Sequence, residues 1–208
     1  RKQRLLRVAN IVEDVLGMEY GYVGEHLEEV QYISADVLRQ RLVSTIETEL
    51  PDITSRLFLL ANDPRININS KDQQNRTPLH IASLREGNAG AVVLLLEAGA
   101  RVDERTGTGV RATYWDSGMI ALHISCQAGV TSVVNVLLAN GATTSIKTAA
   151  GITAAYLAVH WKRWKVLDKL LDYGVVLDAR AFDSLEALVA KGYVFLEDIM
   201  ERQKQLRK

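Results

Sequence analysis

Short apolar stretches and polar turns alternate through the middle of the chain at the spacing of short helices. In residues 76–100 the first apolar group begins at Pro78, which fits the first turn of a helix because proline lacks an N–H. A second group follows at i, i+3 and i+4 positions, namely Val92, Val93, Leu95 and Leu96. Gly99 comes shortly after it, where a left-handed residue commonly ends a helix. This segment therefore predicts two short helices joined by a turn.

The same skeleton recurs twice further along the chain. His123 and Tyr156 hold equivalent positions and lie 33 residues apart, and Gly141 and Gly174 are separated by the same 33 residues. One helix pair of this length buries too little apolar surface to offset the backbone entropy that is lost on folding. Neighbouring pairs must therefore stack to complete a core.

The motif TPLH at residues 77–80, followed by LLLEAGA at residues 94–100, resembles the ankyrin repeat. The resemblance implies an all-α solenoid of helix-turn-helix repeats, in which β-turn fingers connect successive repeats beside a concave face. It also implies that histidines at the positions of His80 and His123 make local hydrogen bonds and brace neighbouring repeats. The resemblance is strongest over residues 67–174.

The pattern divides the chain into three predicted regions: an N-terminal helical segment at 1–33, an ankyrin-repeat domain at 34–178, and a C-terminal helical cap at 179–208. The repeat domain is predicted to contain four repeats, of which the first is degenerate and the third carries an insertion. Their predicted bounds are 34–71, 72–104, 105–146 and 147–178.

Helices are also predicted outside the clear repeats. The apolar spacing favours helices over 1–16 and 51–61, and Ser34 is typical of an N-cap for a helix that extends to about Thr48. The C-terminal tail predicts two helices interrupted at Gly192. Their expected core positions are Leu185, Leu188, Val189, Phe195, Leu196 and Ile199.

An insertion interrupts the regular spacing of the repeats. The connector between Gly99 and His123 is about nine residues longer than the connector between Gly141 and Tyr156. The inserted material falls near residues 105–117, and the resemblance places it in a finger at a binding edge, where long loops often carry function. Its candidate partner-binding residues are Arg111, Tyr114 and Trp115. Two interpretations stay open: contact with a partner, or packing of the finger on its own repeats.

A second group of candidates spans the junction between the two helices of the last repeat, at residues 160–165. Trp161, Arg163 and Trp164 combine aromatic and basic side chains, a pattern that could hold an acidic peptide or, by stacking, single-stranded nucleic acid. The alternative is that one tryptophan packs against the C-terminal helices and that the lysines are solvated. Lys162 also occupies the position at which Gly129 stands in the preceding repeat.

The overall charge gives no general attraction to nucleic acid, since 25 basic residues balance 25 acidic residues. A protein is therefore the expected partner, and nucleic acid is the less favoured partner class. Residues 13–52 are locally acidic, with ten acidic and two basic side chains. That segment is either a solvated face of the N-terminal helices or a docking face for a basic partner.

No residue pattern indicates catalysis. Cys126 lies three residues after His123, but the resemblance places it at a small buried position. A zinc site needs about four ligands, and the chain has one cysteine. Residues 107–112 match a relaxed dinucleotide fingerprint, but the strand and helix that such a site requires are not predicted around them. We therefore expect no enzyme activity, no cofactor and no bound metal.

The single cysteine, the lack of an apolar run long enough for a membrane span and the lack of a secretory signal favour an intracellular protein, either cytoplasmic or nuclear. Because the chain begins at Arg1 and not at methionine, we expect it to be part of a longer protein. The resemblance implies a non-catalytic protein–protein interaction module, a scaffold or adaptor that binds through its concave face and finger loops. The alternative is a regulatory domain that controls a catalytic domain elsewhere in the same chain.

Overall fold

A computed structural model describes residues 35–47, 63–64, 66–107 and 117–206. The chain divides into two compact units, Arg1–Ile68 and Asn69–Lys208. The helices predicted over 1–16 and 51–61 lie outside the described residues, so they stay predictions.

One helix is described in the first unit. It is α1, and it spans Ala35–Glu47, directly after the predicted N-cap Ser34 and one residue short of Thr48. The predicted helix is confirmed, although Ser34 itself lies outside the described residues. Leu42 and Ile46 are both buried, and their i, i+4 spacing places them on the same face of α1.

The second unit is a row of helix pairs. The first three pairs are α2 (Pro78–Ala82) with α3 (Ala89–Glu97), α4 (Ala121–Ala128) with α5 (Thr131–Ala139), and α6 (Ala154–His160) with α7 (Trp164–Asp172). A last pair consists of α8 (Ala179–Ala190) and α9 (Glu197–Leu206), with the short 3₁₀ helix Val194–Leu196 between them.

These helices stack in two layers. The first helix of each pair, that is α2, α4, α6 and α8, packs against its neighbour to form the first-helix layer. The second helices α3, α5, α7 and α9 form the other layer in the same way. Leucines from both layers are buried between them, namely Leu79, Leu95, Leu122, Leu137, Leu167 and Leu170. The predicted all-α solenoid is thereby confirmed.

Two buried histidines connect successive pairs. The Nδ1 atom of His80 accepts the main-chain N–H of Thr77 at 3.0 Å, and its Nε2 atom lies 2.9 Å from the carbonyl oxygen of Glu104. His123 repeats this arrangement with the N–H of Ile120 at 3.3 Å and the carbonyl oxygen of Ile152 at 3.1 Å. Each imidazole therefore holds the start of one helix against the connector that leads to the next pair, as the resemblance implied.

Polar side chains join the connectors to one another. Asn69 donates from Nδ2 to the carbonyl oxygen of Gly99 at 3.1 Å and accepts the N–H of Arg101 at 2.8 Å. One connector further along, Asp103 accepts both the N–H and the hydroxyl of Thr143. Since every such bond ends on an adjacent connector, the spacing between neighbouring pairs is set by the main chain as well as by the core.

A hairpin stem closes the base of the insertion. The N–H of Thr106 donates to the carbonyl oxygen of Met119 at 2.8 Å. In return, the N–H of Gly118 donates to the carbonyl oxygen of Thr106 at 3.1 Å. In the following connector the N–H of Thr148 donates to the carbonyl oxygen of Ile152 at 2.9 Å. Thr106 and Met119 are 13 positions apart, whereas Thr148 and Ile152 are 4 positions apart. The difference confirms an insertion of nine residues.

The turn between the helices of each pair contains a residue with positive φ. At Gly129 φ is 89°, and the Arg163 side chain of the next pair lies across it, with its Nε atom donating to the carbonyl oxygen of Gln127 at 3.0 Å. A Cβ atom on Gly129 would lie 2.8 Å from Arg163 Cδ, so glycine is needed here both for its φ and for this close approach.

This close approach gives a stability prediction. We expect Gly129→Ala to lower the free energy of unfolding by about 2–3 kcal/mol, because the left-handed backbone is strained and the Arg163–Gln127 hydrogen bond is displaced. Gly141→Ala is the matched control, since φ is 80° there but no atom lies within 4 Å of the added Cβ. Urea denaturation of both variants should show the larger loss for Gly129→Ala, and equal losses would contradict the proposed role of Arg163.

The last helix pair is attached through a buried amide. Gln203 on α9 is fully buried, accepts the N–H of Leu177 at 2.7 Å and donates to the carbonyl oxygen of Val175 at 3.0 Å. These two bonds join α9 to the segment that follows α7. At the start of α8, the carboxylate of Asp178 accepts the N–H of Ala181 at 2.8 Å and so caps the helix.

Candidate functional site

The predicted partner-binding residues fall in two places. Arg111, Tyr114 and Trp115, on the insertion, lie outside the described residues, so their role stays a prediction. Trp161, Arg163 and Trp164 all lie at the junction between α6 and α7, and the structure gives each of them different surroundings.

Trp161 is the exposed tryptophan of this junction, with 48% of its surface accessible. Its indole meets the imidazole of His160 edge-on at a centroid distance of 5.5 Å, and His160 in turn stacks on the ring of Tyr156 at 5.7 Å. Tyr156 and His160 are four residues apart, so they share a face of α6. We call Tyr156, His160 and Trp161 the aromatic row; it belongs to the first-helix layer.

Arg163 is exposed, and it also makes a structural contact with the preceding helix pair. Its Nε atom donates to the carbonyl oxygen of Gln127, one of the last carbonyl groups of α4. A cation is favourable at that end of a helix because the unpaired carbonyl groups carry partial negative charge. Arg163 therefore stabilises the junction between two repeats and fixes the position of its own guanidinium group.

Trp164 is half-buried and packs against the C-terminal helices. Its ring meets Phe195 edge-on at a centroid distance of 5.8 Å. One of the two interpretations of this segment, that a tryptophan packs against the tail, thus describes Trp164, whereas Trp161 stays exposed. The segment as a whole is neither fully packed nor fully available to a partner.

The histidines and the cysteine of the repeats lack the features of catalytic groups. Burial lowers the pKa of both His80 and His123 to about 4, so each ring is neutral at neutral pH. Both nitrogens of each ring face main-chain atoms, which leaves neither ring available as a general base. Cys126 is fully buried, and burial raises the pKa of its thiol far above the ordinary value, so the reactive thiolate does not form.

The described residues also contain no cluster of histidine, cysteine, aspartate and glutamate side chains that could hold a metal ion. A shallow depression of about 420 Å³ is lined by Leu171, Asp172, Arg202 and Gln205. Arg202 is already paired there with Asp168 at 2.6 Å and with Asp172 at 3.0 Å. This depression is therefore the surface of an ion-pair network and offers no free cation to an anionic ligand.

The 3₁₀ helix contains exposed apolar residues that the sequence reasoning missed. Phe195 was expected in the core of the C-terminal helices, but 58% of its surface is accessible, and its neighbour Val194 is 62% accessible. Leu196, directly after them, is fully buried. Three successive apolar residues cannot all face one side of a short helix. The run Val194–Leu196 could therefore have indicated that at least one of these residues is exposed.

Among the described helices, none combines the length and the hydrophobicity that a bilayer crossing needs.

Comparison with known protein families gives two matches on this chain. The ankyrin repeat model matches residues 74–107 and residues 117–149. The interval between the two matches coincides with the insertion, and the second match ends just before the α6–α7 pair. A search among curated proteins found no match.

Proposed function

Because the chain is an ankyrin-repeat protein, we propose that it is a non-catalytic protein-recognition module, a scaffold or adaptor within a larger intracellular protein. Ankyrin repeats are protein–protein interaction modules, and the partner of this one is expected to be a protein. We further propose that the protein binds its partner through its concave face and finger loops, and that it is cytoplasmic or nuclear.

The observation that carries the proposal is an exposed aromatic row on a rigid layer. Trp161 is half-exposed, whereas most residues of α6, the helix that precedes it, are buried. Tryptophan and tyrosine supply much of the binding energy in protein interfaces, because they bury a large area with few rotatable bonds. The bonds of His80, His123, Asn69 and Asp103 fix the stack that presents this row, so little free energy is spent on ordering it when a partner binds.

The regulatory alternative uses the same surface. It differs only in whether the partner is a separate protein or a catalytic domain of the same chain.

We expect Trp161→Ala to reduce partner recovery about tenfold while it changes the free energy of unfolding by less than about 0.5 kcal/mol. The test is affinity capture from a cell lysate with quantitative mass spectrometry, accompanied by urea denaturation of each variant. Tyr173→Ala is the matched control, since Tyr173 is 49% accessible but lies at the end of α7. Equal recovery by all three proteins, or a loss of recovery that follows a loss of stability, would contradict this use of Trp161.

A further inference from the structure

The turns of the last two helix pairs lie side by side and share a set of contacts. The ammonium group of Lys162 donates to the hydroxyl of Tyr193 at 3.0 Å and lies 5.0 Å from the centroid of that ring. Phe195 meets Tyr193 at 6.1 Å and Trp164 at 5.8 Å, edge-on in both cases. We call Lys162, Trp164, Tyr193, Val194 and Phe195 the loop-edge patch.

The loop-edge patch combines fixed rings with exposed apolar surface. Val194 and Phe195 are the two most accessible of the large hydrophobic residues in the described part of the chain. Phe195 is held between two aromatic rings, so its exposure does not arise from a side chain without neighbours. Exposed apolar surface that is both contiguous and held in place typically marks an interaction site.

The turns that form the patch carry charge of one sign. The two turn segments, 161–165 and 191–195, carry four basic residues and no acidic residue. Those basic residues are Lys162, Arg163, Lys165 and Lys191. The acidic residues nearest to these segments in sequence are Asp168 on α7, which is paired with Arg202, and Glu197 and Asp198 in the first turn of α9, where carboxylates are favourable to the helix itself.

The backbone conformation at Lys162 indicates that its side chain has a specific use. Lys162 has a φ of 55°, whereas the equivalent turns use Gly87, Gly129 and Gly192 at φ between 87° and 93°. A left-handed conformation costs a residue with a Cβ atom about 1–2 kcal/mol, so glycine would be the more stable choice at this position. An unfavourable backbone conformation at a surface position is evidence that the side chain has a use, and here that side chain anchors Tyr193.

We infer that the loop-edge patch is a second recognition surface, and that it docks a short acidic segment of a partner protein with apolar side chains. The basic residues complement the acidic charge, and Val194 and Phe195 receive the apolar side chains. A nucleic acid fits this surface less well, because the exposed aliphatic side chain of Val194 offers no stacking surface to a base. This surface is distinct from the aromatic row, which lies on α6 and at its C-terminal end.

Direct binding of defined peptides tests the inference. The probe is a short fluorescein-labelled peptide in which glutamate alternates with leucine, measured by fluorescence polarisation. The comparison probes are the same peptide with lysine in place of glutamate, a polyglutamate peptide without leucine, and single-stranded oligothymidine. We expect the glutamate–leucine peptide to bind about tenfold or more tightly than each comparison probe. Absence of binding, or tighter binding of oligothymidine, would overturn the inference.

Variants assign the binding to the patch. We expect Val194→Ser combined with Phe195→Ser to weaken binding of the glutamate–leucine peptide about tenfold, and Tyr173→Ser to leave it unchanged. Lys162→Gly should weaken binding several-fold while the unfolding midpoint stays the same or rises, because glycine removes the backbone strain. Peptide affinity that survives the double substitution would overturn the inference, as would an unaltered affinity in Lys162→Gly.

Trp161→Ala separates this surface from the aromatic row. The peptide affinity is expected to be unchanged in that variant, whereas partner capture through the aromatic row is expected to fall. Loss of peptide binding in Trp161→Ala would show that only one surface exists and would overturn the assignment of a second.

Discussion

Replacing His123 with alanine is expected to lower the free energy of unfolding by about 3 kcal/mol. The imidazole is fully buried, and its removal leaves a cavity between the second and third helix pairs. It also leaves the main-chain N–H of Ile120 without the ring nitrogen that accepts it at 3.3 Å. A buried donor without an acceptor costs about 1–3 kcal/mol, so the cavity and the lost bond together account for the expected loss.

Urea denaturation followed by far-ultraviolet circular dichroism measures this loss. His160→Ala is the matched control, because His160 is an exposed histidine of the neighbouring helix α6. We expect the control to change the free energy of unfolding by less than about 0.5 kcal/mol. A loss below about 1 kcal/mol for His123→Ala would mean that His123 does not brace the two pairs.

Lowering the pH from 7 to 5 is expected to destabilise the native protein by about 4 kcal/mol. The pKa of both His80 and His123 is about 4 in the folded protein, because burial disfavours the charged ring. The unfolded chain titrates with the ordinary histidine pKa of about 6.5, so it binds more protons than the folded chain between about pH 6.5 and pH 4. Stability is therefore lost as the pH falls through this range, by about 2 kcal/mol per histidine down to pH 5.

Ending the titration at pH 5 separates the contribution of the histidines to the free energy of unfolding from that of the carboxylates. The hydrogen bond from Lys71 lowers the pKa of Glu104 below its ordinary value, so the contribution of Glu104 is lost only at more acidic pH. The His123→Ala variant provides a second control, because it retains only the part of the pH dependence that is due to His80. We expect the slope of unfolding free energy against pH to be about half as steep in that variant. Equal stability of the native protein at pH 7 and pH 5 would contradict the neutral state assigned to the two rings.

The helix pairs could be predicted because each is encoded by its own local pattern. Pro78 starts α2, and the residue two positions after the end of α3, Gly99, has a φ of 92° as the turn requires. The equivalence of Lys162 with Gly129 followed from spacing alone, and the positive φ at both residues confirms it. These features depend on neighbours within a few residues, which is why they can be read from sequence.

The surroundings of the tryptophans could not be predicted in the same way. Trp161 and Trp164 lie three residues apart in one basic segment, yet one is half-exposed and the other packs on Phe195. The position of the 3₁₀ helix in the last pair decides which of the two rings is covered. That position depends on contacts between residues about 30 positions apart, such as the bond from Lys162 to Tyr193. Local periodicity contains no information about such contacts.

The same reason explains the misplacement of Phe195. Its position in an apolar run predicted burial, but Leu196 takes the inward position and Phe195 turns outward. The choice between the two adjacent residues is made by the 3₁₀ geometry of Val194–Leu196, which a helical hydrophobic pattern does not specify.

The hairpin stem at Thr106 and Met119 has a consequence for how this protein can change in evolution. The stem is bonded to both neighbouring connectors, through the N–H of Gly107 to Asn75 at 3.3 Å and the N–H of Ala149 to Ser117 at 2.9 Å. Doubling the length of a flexible loop costs only about 0.6 kcal/mol in closure entropy. Because the stem fixes the chain at Gly107 and Ser117, we expect insertions between these two residues to leave the spacing of the helix pairs unchanged. The length of this connector and the stability of the stack are thus expected to vary independently of each other.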